Sequence, residues 1–404
     1  MTQAGALPRN EGTAPEVRRR MVFYVPGYDP FPARRYREMY RGEGARQAAI
    51  CGYGLEVSGE PGGAGWTVAG RFGAARVGAR VEVLEWADLV RASMAPGVPA
   101  TYGLMLRTLM VYVATGALGA LMRLRPVTAI AAFWPVVALL AQLALAAGLA
   151  WGLAVSLPGG AGWIAGPAAG AVVLVAFRRL DGRLYVHYLL HGYALVARHR
   201  GAWPADVDAR IDAFAARIGA ALEAGEADEV LVAGHSLGAA VAVSALARAL
   251  RGRDGVRPAV ALLTLGHCIP IQSFLPDARA LRGDLHDLAA RPDLFWLDVT
   301  APGDGACHAL CDPVAVTGVA PDPQHGPRVI SAAFTRTLAP ETRAALRWRF
   351  FRLHFQYLCA FDWPGAHDWF AITAGPLTLR DRFAGRPHSP RRVTRALSPY
   401  RDRA

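Results

Sequence analysis

From Pro126 to Phe177 the chain carries no Asp, Glu, Lys or Arg. A charge-free run of this length is hard to bury inside an ordinary domain, so it constrains the fold more than any other feature. It divides at SLPGG, residues 156–160, a turn-rich break. The first half, Val127 to Ser156, exceeds the ~20 residues that cross a bilayer; the second, Ala161 to Phe177, meets the lower limit of roughly 17. Trp151 and Trp163 stand close to the turn, as interfacial aromatics do. Arg123 and Arg125 precede the pair, and Arg178, Arg179 and Arg183 follow it. By the positive-inside rule both outer ends are cytoplasmic, and the expectation is a transmembrane hairpin over 126–179. Gly148-x₃-Gly152 and Gly166-x₃-Gly170 offer faces on which two helices can approach closely. The rival is a buried core hairpin, or an apolar lid.

A third apolar segment, Leu104 to Met122, contains Arg107. Arginine at mid-membrane costs about 2.5–3.5 kcal/mol on insertion scales. Residues 104–125 are therefore expected to form an amphipathic helix lying against the membrane or the domain.

The whole chain of 404 residues is 53% hydrophobic and 19% charged, with a net charge of +12 carried entirely by arginine. The arginines are scattered, without an aromatic-interleaved stripe or reader motif, which argues against nucleic acid. Anionic membrane lipids are the better partner. The five cysteines form no disulfide framework. Cys307 and Cys311 flank His308, but no second ligand pair completes a zinc site, so no metal is expected. Residues 1–20 lack an apolar signal region and are expected to be disordered, as is the arginine-rich tail 386–404.

On either side of the hairpin, strand and helix patterns alternate. MVFYV (21–25) runs into a Pro-Gly turn, 32–49 reads as a helix, 50–78 as a small antiparallel excursion, and RVEVLEW (80–86) as a strand. After the hairpin come helices near 180–199 and 204–224, then strands at 229–233, 259–266, 294–300 and 328–334 with helices between. The expected class is α/β, a mostly parallel sheet with helices on both faces, in two parts at 21–103 and 180–385.

VLVAGHSLGAAVA (230–242) places Ser236 between two glycines, with an apolar strand before it and a small-residue helix after it. That is the context of a nucleophile elbow. A serine hydroxyl needs an adjacent base, and the base needs an orienting acid. The loop after FWLDVT offers Asp304, with Asp298 and Asp312 as rivals. His354 in RLHFQYL is the preferred base, with His367 and His325 as alternatives. His308 comes too early, and His235, next to the serine on a tight turn, is expected to be structural. For an oxyanion hole the backbone N–H groups of Leu237 and Tyr28 are the candidates, the latter in the VPGYDP loop.

With GHSLG at 234–238, the strand-PGY loop at 22–28, TLGHCIP at 264–270 and APGD at 301–304, the chain resembles the α/β-hydrolases, especially lipase- and esterase-like serine hydrolases. The resemblance covers roughly 21–90 and 200–375. It implies Ser236 as nucleophile, Asp304 as acid and His354 as base, with no metal or organic cofactor. Two departures stand out: PG where many members have HG, and a hairpin between the early strands and the elbow. The oxyanion loop and the serine come from opposite sides of that hairpin, so the number of crossings must be even and Leu104–Met122 should not span. The resulting expectation is a hydrolase of acyl esters or lipids on the cytoplasmic face of a bacterial-type inner membrane. The alternative is a hydrolase-like domain without catalysis that serves as a membrane-tethered binding or scaffold protein.

Overall fold

A computed structural model describes residues 17–60, 62–255 and 257–404; most of the segment 1–20 lies outside the described residues. Eight strands form one sheet: β1 Arg19–Val25, β2 Gly54–Gly59, β3 Gly65–Phe72, β4 Ala75–Val83, β5 Glu229–His235, β6 Ala259–Leu265, β7 Phe295–Thr300 and β8 Arg328–Ser331. Their order is β2-β3-β4-β1-β5-β6-β7-β8. The six strands from β4 to β8 run parallel, and β2-β3-β4 is an antiparallel meander. The class is α/β with a mostly parallel sheet.

Period two explains how β1 and β5 build two cores at once. Met21, Phe23, Val25, Val230 and Val232 face the helices Ala205–Ala224, Gly238–Leu250 and Arg279–Ala290. Val22, Tyr24, Leu231 and Ala233 face the opposite side, where the helix Ala33–Cys51 and Trp369–Ala374 cover the sheet. Both strands are therefore apolar on each face, as buried parallel strands are. Their register pairs Arg20 with Glu229 and Val25 with Gly234. Arg20 Nε donates to Glu229 Oε2 at 2.7 Å with both side chains buried, and the guanidinium also donates to the carbonyls of Gly375 and Leu377. The Leu379 N–H donates to the other oxygen of Glu229. Each charge is thus fully partnered, the condition under which a buried ion pair is tolerated.

Between β4 and β5 the chain leaves the sheet for a helical insertion. Helices Val98–Ala114 and Ala117–Leu124 meet at a bend of 77°, where Gly116 takes a left-handed φ of 71°. They pack on the domain: the Tyr112 hydroxyl donates to the Ile271 carbonyl, and Leu121 and Leu124 are buried beside Phe274, Leu275 and Val316. The helical stretch Pro126–Ser156 follows and is long and apolar enough to cross a membrane. Gly162–Arg179 returns antiparallel to it, 18 residues long, or about 27 Å at the α-helical rise.

The contact between these two helices differs from the sequence expectation. Gly148 and Gly152 face open space. The close face is Gly162, Gly166 and Gly170, lying on the backbone of Ala154, Ala150 and Ala146, where any added Cβ would collide. Alanine at four-residue spacing supplies a partner for the glycine face that a search for paired glycines overlooks. Outside this seam the hairpin surface is apolar and exposed, with Ile164 at 80% and Val172 at 67%.

The tail also differs. Residues 386–404 were expected to be disordered, yet they cross the domain surface in fixed contacts. Arg392 pairs with the buried Asp312, the Ser389 N–H donates to Val329, Asp402 accepts from the buried Arg282, and the Tyr400 hydroxyl reaches Thr115. One of the arginines that make the tail look unstructured, Arg392, is held by a carboxylate remote in sequence, and the remaining contacts come from the tail backbone, Asp402 and Tyr400. Arg392→Ala leaves the Asp312 carboxylate with only neutral donors and lowers stability by about 3 kcal/mol. The urea midpoint measures this, and an unchanged midpoint contradicts it.

Candidate active site

β5 ends at His235, and the next helix begins at Gly238. Ser236 sits in the turn with φ 57°, a left-handed conformation that costs a non-glycine residue about 1–3 kcal/mol. The turn is held because the Ser236 N–H donates to the Leu265 carbonyl at 2.9 Å. The flanking glycines are required by space. A Cβ on Gly234 would stand 2.6 Å from the Gly238 carbonyl oxygen, and one on Gly238 would fall on the Pro26 carbonyl. Gly27, just past β1, runs directly over the serine: a Cβ there would be 3.0 Å from Ser236 Cβ and 3.6 Å from Oγ.

Asp304, in the turn after β7, and His354 come together. His354 Nδ1–H donates to Asp304 Oδ2 at 2.7 Å, and the Tyr357 hydroxyl donates to the same oxygen at 3.0 Å. The other oxygen takes the Ala306 N–H at 3.0 Å. Burial pushes the Asp304 pKa up, but attraction to the His354 imidazole and these three donors outweigh it and hold the carboxyl below its usual range. With Nδ1–H committed to Asp304, His354 Nε2 carries the lone pair; it is buried and has no hydrogen-bond partner among the described residues. Ser236 Oγ contacts Cys268 Sγ at 3.7 Å. The hydroxyl and the free imidazole nitrogen are thus not bonded to each other here, although both residues line one cavity of about 180 Å³.

Tyr28 and Leu237 line that cavity too. The Tyr28 phenol is bonded to Ser93 Oγ at 2.5 Å, its carbonyl accepts from Tyr188, and its ring packs on Trp86 and Tyr188. Gly192 leaves room for that ring, since a Cβ would stand 3.3 Å from it. Tyr188 and Gly192 belong to the helix Val186–Ala197 of the insertion.

The rival residues are otherwise engaged. Asp298 is fully buried, accepts from Thr264 at 2.6 Å, and is pushed well up in pKa by burial. Asp312 caps the short helix after it by accepting from Val314 and Ala315. His367 Nε2 donates to the Tyr357 carbonyl at 2.7 Å, and His325 is exposed. His308 is buried against His267.

Sequence reasoning missed two contributors, Tyr357 and Asp29, and left a third, His235, without its partner. His235, expected to be structural, supports His354 directly: its Nε2 donates to the His354 carbonyl at 3.0 Å, with ring centroids 4.6 Å apart. Burial, then the nearby His354 imidazole, lowers its pKa to about 3, so it stays neutral. Tyr357, three residues after His354, had a spacing signal only in hindsight of the turn. Asp29 lines the cavity, accepts from the Tyr36 hydroxyl at 2.5 Å, and is raised in pKa by burial.

Comparison with protein-family models, curated proteins and solved structures finds no match.

The arrangement can activate a hydroxyl through a neutral imidazole oriented by an ionised carboxylate, inside an apolar cavity. The buried histidines around it set a pH limit. Burial lowers His367 from 6.5 to about 4, so its contribution to stability is complete above pH 6.5 and is lost as pH falls toward 4. A His367→Gln variant lacks that loss. Unfolding free energies of the two chains should converge by about 2 kcal/mol between pH 6.5 and pH 5, the other titrating groups cancelling in the difference. A difference independent of pH contradicts neutral burial of His367.

Proposed function

We propose that the chain is a membrane-anchored serine hydrolase of the α/β-hydrolase kind that cleaves acyl esters. The observation that carries this reading is the convergence of Ser236, at a strained elbow beneath Gly27, with a His354 whose Nδ1–H is held by Asp304 and whose Nε2 is free. On this reading the hydroxyl turns from Cys268 to Nε2 as substrate binds, a tightening common to sites seen without substrate. Ser236 Oγ bonds to the ester carbonyl carbon while its proton passes to Nε2. The carbonyl oxygen takes the negative charge and accepts from the Leu237 and Tyr28 N–H groups. As the intermediate collapses, the C–O bond to the alcohol breaks and the leaving oxygen takes the proton from Nε2. Water then attacks the acyl-serine, gives its proton to Nε2, and Ser236 recovers it as the acid departs. Asp304 stays ionised throughout.

The exposed apolar hairpin surface supports anchorage in a membrane. The return helix, about 27 Å long, falls slightly short of a ~30 Å hydrocarbon core, a mismatch met by local thinning. Both ends of the insertion return to one sheet, which favours an even number of crossings, and the arginines flanking the hairpin favour the cytoplasmic side of an inner membrane. Arg125 does not reach outward to lipid, since its guanidinium donates to the Ala309 carbonyl.

The unmade Ser236–His354 bond favours a second reading, a binding or scaffold protein without catalysis. A fluorophosphonate probe separates the two. Full-length protein in detergent should label at Ser236, and Ser236→Ala should not label; failure of the folded wild-type chain to label sinks the hydrolase reading. Where activity is measured, Asp304→Asn should lower kcat by about 10⁴-fold, because it fixes the wrong imidazole tautomer.

A further inference from the structure

The catalytic cavity does not end at its own walls. At Tyr193 and Ile271 it adjoins a second cavity of about 80 Å³, and both residues line both spaces. The second cavity lies between the helix Val98–Ala114 and the start of Trp134–Ser156, with Met105, Leu109, Phe133 and Val136 in its wall. No charged side chain lines it. Of its few polar groups, the Tyr112 hydroxyl is already bonded to the Ile271 carbonyl. On the same two helices, the neighbouring residues Leu106, Met110, Val137 and Leu140 are exposed. The space therefore runs from the nucleophile toward the apolar outer face of the insertion.

The other side of the catalytic cavity has a different character. Phe350, exposed by 63%, lines it beside Trp134, exposed by 47%. Trp348, exposed by 74%, packs edge-on to Phe350 and carries the Arg347 guanidinium over its ring. The exposed Arg349 completes a basic aromatic rim just before His354, whereas Arg352 is turned to Glu43. Trp and Arg mixed in this way suit the headgroup layer of an anionic bilayer. A short water-soluble ester needs neither feature.

Resting on the hydrolase reading above, we infer that the second cavity holds the acyl chain of a membrane-resident ester, which reaches Ser236 from the bilayer without passing through water. The acyl half is the half retained on Ser236 after the alcohol leaves, so it takes the space that leads away from the rim. The alcohol departs past Trp134 and Phe350, where a polar headgroup meets water and arginine. The insertion is then both anchor and acyl-binding wall.

The test uses full-length protein in mixed micelles of one composition, with nitrophenyl esters from acetyl to dodecanoyl and a matched series of alkyl acetates. The kcat/KM should rise at least about thirtyfold from acetyl to decanoyl, since each buried methylene adds severalfold. It should not rise with the alcohol chain. Leu109→Trp, and independently Val136→Phe, fill the second cavity; each should remove most of the long-chain gain while acetyl hydrolysis persists. A flat acyl series, a gain that follows the alcohol chain, or a long-chain gain surviving both substitutions overturns the inference. Absence of hydrolysis on every ester, with no probe labelling, strikes instead at the hydrolase reading. Acetyl hydrolysis by each variant also reports that it has folded.

Discussion

The pairing of β1 with β5 is the constraint on which the rest depends. Residues separated by some two hundred positions lie side by side in register, Arg20 on Glu229 and Val25 on Gly234. Slipping that register by one residue would turn one strand over relative to the other and exchange its two apolar faces. It would also unmake the buried Arg20–Glu229 pair, a costly loss because it leaves a buried charge without its ionic partner. Because the register holds, the loop after β1 arrives over the turn after β5. Gly27 can then lie against Ser236 with no room for a side chain between them.

The insertion adds more than attachment. Through Tyr188 and Gly192 it grips the loop that carries Tyr28, and through Trp134, Tyr185 and Tyr193 it closes the cavity around Ser236. A displacement of the insertion relative to the sheet would therefore move the Tyr28 loop and the cavity wall together. On the proposed reading, binding to lipid and preparation of the site are one mechanical unit. This coupling places no demand on the sheet itself, whose strands are already packed on both faces.

Much of this was legible in the sequence where the signal is local. The elbow announces itself because only small residues fit at 234, 238, 239 and 240, and the structure gives the steric reason at each glycine. The α/β class followed from alternating periodicities, and an antiparallel excursion over 50–78 from its glycines and alternation, although the strand expected at 80–86 is the end of β4, Ala75–Val83, and belongs to that meander. Asp304 was picked out by its place in the loop after β7 and His354 by chain order and its apolar neighbours, and the structure brings them to 2.7 Å. What escaped was non-local. The hairpin seam uses alanines against glycines, and alanine is too common in this chain to signal a contact. The tail was read from composition, whereas its order comes from Asp312, Arg282 and Thr115, none of which composition can pair with it. The last strand was drawn too long because the apolar residues of RVISAAF continue past Ser331 to Phe334, but Ala333 takes a left-handed φ of 50° and the strand ends at Ser331.

The separation of β1 from β5 also shapes how such a chain is made. After β4 has paired with one edge of β1, the other edge has no partner until Glu229–His235 emerges. At about 5–20 residues per second, the intervening helices take some ten seconds or more to synthesise. For that interval a hydrophobic strand edge is open to any neighbouring chain, which is the usual start of aggregation. The helical insertion is itself the delay, and its length sets how long that edge stands open during synthesis.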